Sequence, residues 1–226
     1  MTRVNEPMAD VRDMYMAHTM LRREFRLLPQ LVRDVTPGDA ERADVVGAHA
    51  EQVCLILHLH HEGEDLLLWP RLLERAGDKA TAIVPAMEEQ HHAIERGHAE
   101  VAGLLPQWRA TGRNGEQLAE AVERLLAALV EHLALEEKEI LPLTEQYVTA
   151  AEWKQLGEHG MARTPQEALP LSLGMAMYEA DPEVVEALLA DVPEPDRTAL
   201  TDAARAVYAA HAERVHGTGT PPRVGA

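Results

Sequence analysis

A chain of 226 residues and 25.0 kDa with 46% hydrophobic content can bury one full core, or a core with an extension. Its formal charge of −17 repels phosphate backbones and excludes nucleic acid as a natural partner, while the lack of a long apolar run or a basic-then-apolar leader sets the expectation of a soluble cytoplasmic protein with no membrane contact. The single cysteine, Cys54, excludes an internal disulfide and a thiolate zinc cluster, so the available metal ligands are His, Asp and Glu, a set that suits iron, manganese or zinc.

Aromatic residues make up only 4% of the chain, and Leu, Ala, Glu and Arg dominate it, which is the palette of helices packed on helices. The predicted fold is all-α. Apolar or inward positions at Val11, Met14, His18, Leu21, Phe25 and Leu28 keep one stripe on one helical face, so a first helix is predicted over Ala9–Val35. "TPGDAE" breaks it, with Asp39 as the N-cap of a second helix over Ala40–Arg75. After "AGDKA", a third helix over Thr81–Arg109 carries Met87, His91, Ile94, His98, Val101 and Leu105 in its seam, and "TGRNG" closes it. A fourth helix over Glu116–Tyr147 has the seam Leu118, Val122, Leu125, Leu129, His132 and Glu136. Four long helices with short connections predict an antiparallel up-down-up-down bundle over residues 9–148. Prolines 165, 170, 182, 193 and 195 cut the remainder into short helices, read as an extension over 149–216 packed on the bundle, and the last residues, 217–226, read as disordered.

Histidines with an acid four residues on recur at His58–Glu62, His60–Glu64, His61–Asp65, His91–Glu95 and His132–Glu136. Such spacing alone is weak, because it also produces ordinary surface pairs on helices. Height along the bundle is the stronger criterion. Counted from the intervening turns at about 1.5 Å per residue, His18, the His60–Glu64 pair, His91 and His132 fall level within about one helical turn. Each also interrupts the apolar stripe of its own helix and therefore points inward. An unsatisfied polar group in a core costs about 1–3 kcal/mol, so several imidazoles and carboxylates at one level invite a cation, and two close ions balance several carboxylates better than one. Elsewhere, His58 with Glu62 reads as a solvated pair, His49 as a core histidine or a partner of a ligand, His98 as a seam residue with a ligand or channel role as the alternative, and Asp65 as a hydrogen-bond partner of a ligand imidazole or a residue facing water.

The stretches "AHTMLRRE", "HHEGEDLLLWP", "EEQHHAIE" and "EHLALEEKEILP" together resemble the hemerythrin-like, or HHE cation-binding, family over about Ala9 to Tyr147. That resemblance implies a four-helix bundle with a carboxylate-bridged non-haem di-iron centre that binds or reacts with dioxygen or a related small oxidant. Carried over by motif, His18, His60, Glu64, His91, His132 and Glu136 are the implied ligands, with His61 beside the second-helix motif as a further candidate. Classical oxygen-carrying members place a second His four residues along the third helix, where this chain has Glu95; the extra carboxylate makes the set harder and closer to a di-iron oxidase. Older members also space the fourth-helix acid five residues from its His, which would select Glu137 instead of Glu136. Two iron ions are the implied cofactor, with manganese or a mixed pair as alternatives, and the redox partner is left open. The function expected is an oxidase or a peroxide- or NO-handling protein; the alternative is a sensor or carrier of oxygen, iron or redox state without turnover. Ferritin-type iron storage is disfavoured because that chemistry uses Glu-x-x-His on two helices and helices two and four have none.

Overall fold

The computed structural model describes residues 6–224. Four principal helices form a bundle: α1 (Arg12–Arg33); α2 (Ala40–Gly63), continued by α3 (Trp69–Arg75); α4 (Asp78–Thr111); and α5 (Gly115–Leu135), continued by α6 (Leu141–Tyr147). Side-chain pairs fix the directions of neighbours. On α1 and α5, His18 meets Glu137, just past α5, while Arg33 meets Glu116 and Glu123. On α2 and α4, Asp44 meets Arg109 while Asp65, just past α2, meets His91. On α4 and α5, His91 meets His132 while Glu100 meets Arg124. In each case the start of one helix lies against the end of the other, so these neighbours run antiparallel. Asp39 caps α2 by accepting the Arg42 backbone N–H, as its sequence position predicts. Gly112 closes α4 with φ +60°, where a Cβ would stand 2.8 Å from the Asp39 carbonyl oxygen.

The second and fourth helices are not continuous α-helix as predicted. Each contains one π-helical turn, Glu64–Leu68 and Glu136–Ile140. The cause is a proline six residues after the acid in both, Pro70 and Pro142, which lacks an N–H and whose ring collides with the carbonyl four residues back. Widening the turn relieves this: the Trp69 N–H bonds the Glu64 carbonyl and the Leu141 N–H bonds the Glu136 carbonyl, five residues back. Burial phase depends on the insertion. Beyond each acid the buried positions recur at every fourth residue, Leu68 and Leu72 on one helix and Ile140 and Thr144 on the other. In a plain helix that spacing would drift out of the core by about 40° per step; the wider turn absorbs the drift.

Four further helices follow: α7 (Ala150–Arg163), α8 (Leu169–Met177), α9 (Pro182–Leu188) and α10 (Asp196–His216). A reciprocal capping box between Thr149 and Glu152 starts α7, and Trp153 donates to Asp13 on α1 at 3.0 Å. Met175, Tyr208 and Ala212 join the main core of the bundle. The segment expected to be disordered is anchored over its described part: Tyr178 donates to the Pro221 carbonyl at 2.9 Å, the Val224 N–H donates to Glu179 at 2.8 Å, and Pro221 is buried. Residues 225 and 226 lie outside the described residues. Among the described residues no helix is long and apolar enough to cross a membrane.

The buried apolar residues of the bundle divide into two clusters, and a third, of Met177, Val185, Leu189 and Ala204, lies in the extension. Of the bundle clusters, one runs from Met20, Leu57, Ile94 and Leu133 towards the turn between α1 and α2, the other from Met14, Leu68, Met87 and Ile140 towards the opposite end. On every helix the site histidines and carboxylates fall between or at the edge of these two dry layers.

Candidate metal centre

Two groups of four donors converge between the layers: His61, Glu64, His91 and His132 in one, His18, His60, Glu64 and Glu136 in the other. Glu64 belongs to both. His18, Glu64, His132 and Glu136 are fully buried. Glu64 stands 3.1 Å from His60 Nε2 through Oε1 and 3.2 Å from His91 Nε2 through Oε2. Glu136 Oε2 lies 3.2 Å from His18 Nε2 and 3.7 Å from His132 Nε2, so it too faces both groups. His91 Nε2 and His132 Nε2 are 3.2 Å apart.

These distances fit shared cations better than hydrogen bonds. Donors about 2.1 Å from one ion stand about 3.0–3.5 Å apart in octahedral or tetrahedral shells. Despite their proximity, the Nε2 atoms of His18, His60 and His61 and both carboxylate oxygens of Glu64 and of Glu136 have no hydrogen-bond partner. Orphaned buried donors and acceptors on this scale are costly unless a ligand satisfies them. The donor set is imidazole and carboxylate; Cys54 is buried in the apolar core, and burial pushes its thiol up to about 12.

The protonation pattern agrees with a cation-binding role. Burial pushes His60 down to about 3, His61 well below its ordinary value and His132 down to about 4, which keeps three imidazoles neutral as ligation requires. Burial opposes charge on His18 and His91 as well, yet Glu136 and Glu137 raise the first and Asp65 and Glu64 the second, each to about 9. Burial and the neighbouring Glu136 push Glu64 upward, and Glu136 is held low by His18 against its own burial. The pocket thus retains protons in the places a cation would take.

Outer hydrogen bonds fix the ring orientations. His91 Nδ1 bonds Asp65 at 2.7 Å, and Trp69 Nε1 donates to the same oxygen at 2.8 Å. His18 Nδ1 bonds Glu137 at 2.9 Å, and Arg22 donates to that oxygen at 2.6 Å. His132 Nδ1 faces Gln90 at 3.3 Å. Removing such a partner from a metal site costs about 10–100-fold in affinity. Asp65→Ala is therefore expected to weaken metal binding by about that factor with an unchanged fold, since Asp65 is half exposed; a chelator-competition titration measures it.

Of the predicted ligands the structure brings together His18, His60, His61, Glu64, His91, His132 and Glu136, and it leaves out Glu95. One turn beyond His91, Glu95 is exposed on the rim of a groove that His58, His61, Glu62, Asp65, His91 and His98 also line, and the position opposite is taken by His61. The consecutive pair His60–His61 serves both groups because neighbours on a helix point about 100° apart. Glu137, the alternative to Glu136, holds His18 from outside. Sequence reasoning missed Gln90 and Trp69, which carry no spacing signal, although Asp65 has its expected role. In the extension, His159 bonds Glu62 at 3.0 Å, where Arg163 also meets it, so Glu62 turns to α7. Tyr208 and His211 contact Glu24 and His49, away from this centre.

A family model described as the hemerythrin HHE cation binding domain matches residues 9–144. No curated protein and no solved structure matches the chain.

Proposed function

The chain belongs to the hemerythrin HHE cation-binding domain family, and from that premise we propose that its centre holds two iron ions and reacts with dioxygen or a related small oxidant. The observation that carries this reading is the pair of donor groups joined by Glu64, lined with orphaned imidazole and carboxylate atoms. An iron pair held there would supply ferrous–ferric redox chemistry with room for a small oxidant. Each part of the chain has a task in that scheme. Glu64 and Glu136 would offset the charge of the cations, and His18 with His60 on one side and His61, His91 and His132 on the other would hold them. Asp65 and Glu137 accept the Nδ1–H of His91 and His18 and keep Nε2 turned inward. The two apolar layers exclude water, which strengthens every charge interaction between them.

Access also favours a small reactant. The groove of about 190 Å³ between α2 and α4 reaches the edges of His61 and His91 and admits a molecule of a few atoms. Its rim residues, His58, Glu62, Glu95 and His98, are polar and titratable. Reduced, iron-loaded protein is expected to consume oxygen, hydrogen peroxide or nitric oxide, with the rate abolished in Glu64→Ala; an electrode trace in which both proteins consume none of the three removes the proposal. A carrier or sensor without turnover is the second reading. It is favoured by α7, whose His159 and Arg163 bond Glu62 two residues before the π turn that begins at Glu64, and it is distinguished by uptake of oxygen that is released unchanged on lowering its pressure.

A further inference from the structure

Two turns along α1 from His18 the bundle holds a second buried polar cluster that the centre does not use. Glu24 on α1 and His49 on α2 are 1% and 0% exposed, and the side chain of His216, the last residue of α10, is 4% exposed. His49 stands 11 positions before His60, about 16 Å along the helix, so the two clusters are separate. Glu24 Oε2 lies 3.4 Å from His49 Nε2 and 3.7 Å from His216 Nε2, and the two rings meet edge to face at 5.6 Å. None of these three atoms has a hydrogen-bond partner. They nevertheless converge, and their spacing matches donors around one ion.

The opposite side of each ligand is held. Arg23 donates to Glu24 Oε1 at 2.9 and 2.7 Å and Tyr208 donates to it at 3.1 Å, which leaves Oε2 directed at the histidines. His49 Nδ1 pairs with His211 Nε2 at 3.1 Å, which leaves its Nε2 directed at Glu24. Arg42 donates to the carbonyls of Arg214 and Val215, so the end of α10 that carries His216 is clamped over the start of α2. Partners that orient ligands in this way are typical of metal sites. Burial alone would raise Glu24, but His216, His49 and Arg23 hold it well below the usual carboxylate range, so it is available as an anion. Arg23 adds a positive charge nearby, and Glu179 at 2.8 Å offsets it.

We propose that Glu24, His49 and His216 form a separate mononuclear site for a divalent transition-metal cation, which fastens the end of α10 to the bundle. Two imidazoles and one carboxylate leave at least one position for water, and the set is that of zinc and ferrous sites. The site ties the extension to the HHE bundle and is independent of the reading given to the central pair.

The test is a cobalt(II) titration of chelator-stripped, full-length protein, followed by its visible ligand-field bands, in parallel with His216→Ala and Glu64→Ala. His216→Ala is expected to take up one ion fewer than wild type, and Glu64→Ala to retain one ion with its bands. Amide exchange in the last turn of α10 is expected to slow on addition of cobalt(II) in wild type and in Glu64→Ala, and to stay unchanged in His216→Ala. His216 ends its helix, so its truncation removes no internal turn. Equal uptake by wild type and His216→Ala, or exchange that cobalt(II) does not slow in wild type, overturns the proposal. Uptake of a single ion that is lost in His216→Ala and kept in Glu64→Ala supports this site while removing the central pair, so the two readings fail separately.

Discussion

Glu64→Ala is expected to strip both of the proposed ions from the centre, with affinity at each position falling by more than about 100-fold. The magnitude follows from the position of the residue. Loss of a mere hydrogen-bond partner of a ligand costs about 10–100-fold, and Glu64 contributes an anionic donor to both groups at once. Elemental analysis of protein purified from iron-supplemented culture measures it, and Glu95→Gln serves as the contrast: its carboxylate is exposed on the groove rim, so the wild-type content is expected. Iron content equal in Glu64→Ala and wild type would mean that the convergence of these donors is a packed core. Stability should move the other way in stripped protein. Burial and Glu136 push Glu64 upward, so the folded state favours its protonated form. A carboxyl raised in the folded state contributes most below its unfolded range and loses that contribution as pH rises. Glu64→Gln keeps the shape of the neutral acid, and metal-free Glu64→Gln is therefore expected to gain on wild type as pH rises above the ordinary carboxylate range.

How much of this was legible in the sequence depended on which physical signal each residue carries. The helices and their seams follow from apolar spacing, because a stripe of period 3.6 is what a core requires. His18, His60, His91, His132 and their acids follow from level-matching, because short turns force neighbours to run antiparallel and so fix relative heights. Glu95 failed for a reason that spacing does not report. A residue four positions from a ligand shares its stripe only to within about 40°, and at that height the groove between α2 and α4 offers solvent to a carboxylate. The π turns carry a sequence signal of their own, an acid followed six residues later by proline, in both "EDLLLWP" and "EEKEILP". A proline inside a strong helical stripe has to be accommodated, and a widened turn is one of the few ways.

The second cluster was half legible. Glu24 lies about 13 residues before the turn near Pro37 and His49 about 12 after it, so the arithmetic that paired His18 with His60 pairs these two as well. His216 had no such rule, because the path of the extension back across the bundle is set by tertiary packing. Gly174 illustrates this: a Cβ there would stand 2.2 Å from the Ala204 carbonyl oxygen, so α8 and α10 approach as closely as backbone allows. That crossing carries Tyr208, His211 and His216 to the bundle.

Arg23→Ala is expected to cost about 3–5 kcal/mol of stability in metal-free protein, the range for breaking a buried ion pair by removing one partner. Arg23 is 1% exposed and sits where α1, α8 and α10 meet. Its guanidinium donates twice to Glu24, once to Glu179 at 2.8 Å and once to the Met175 carbonyl at 2.7 Å, and it lies 5.1 and 5.5 Å from the ring centres of Tyr178 and Tyr208. Truncation leaves two largely buried carboxylates and a carbonyl without their guanidinium, and the Tyr208 ring loses its cation while Tyr178 keeps Arg223 at 4.9 Å. In a chain of this size such a loss lowers Tm by roughly 6–20 °C. Differential scanning calorimetry reads it directly. Because the lost contacts join the extension to α1, amide exchange should rise first in α8 and α10. The bundle helices α4 and α5, which Arg23 does not touch, should keep their protection until global unfolding. A Tm within about 2 °C of wild type would mean that the guanidinium gains too little from its partners to offset its own desolvation, and that the extension is held by Met175, Tyr208 and Ala212 in the apolar core alone.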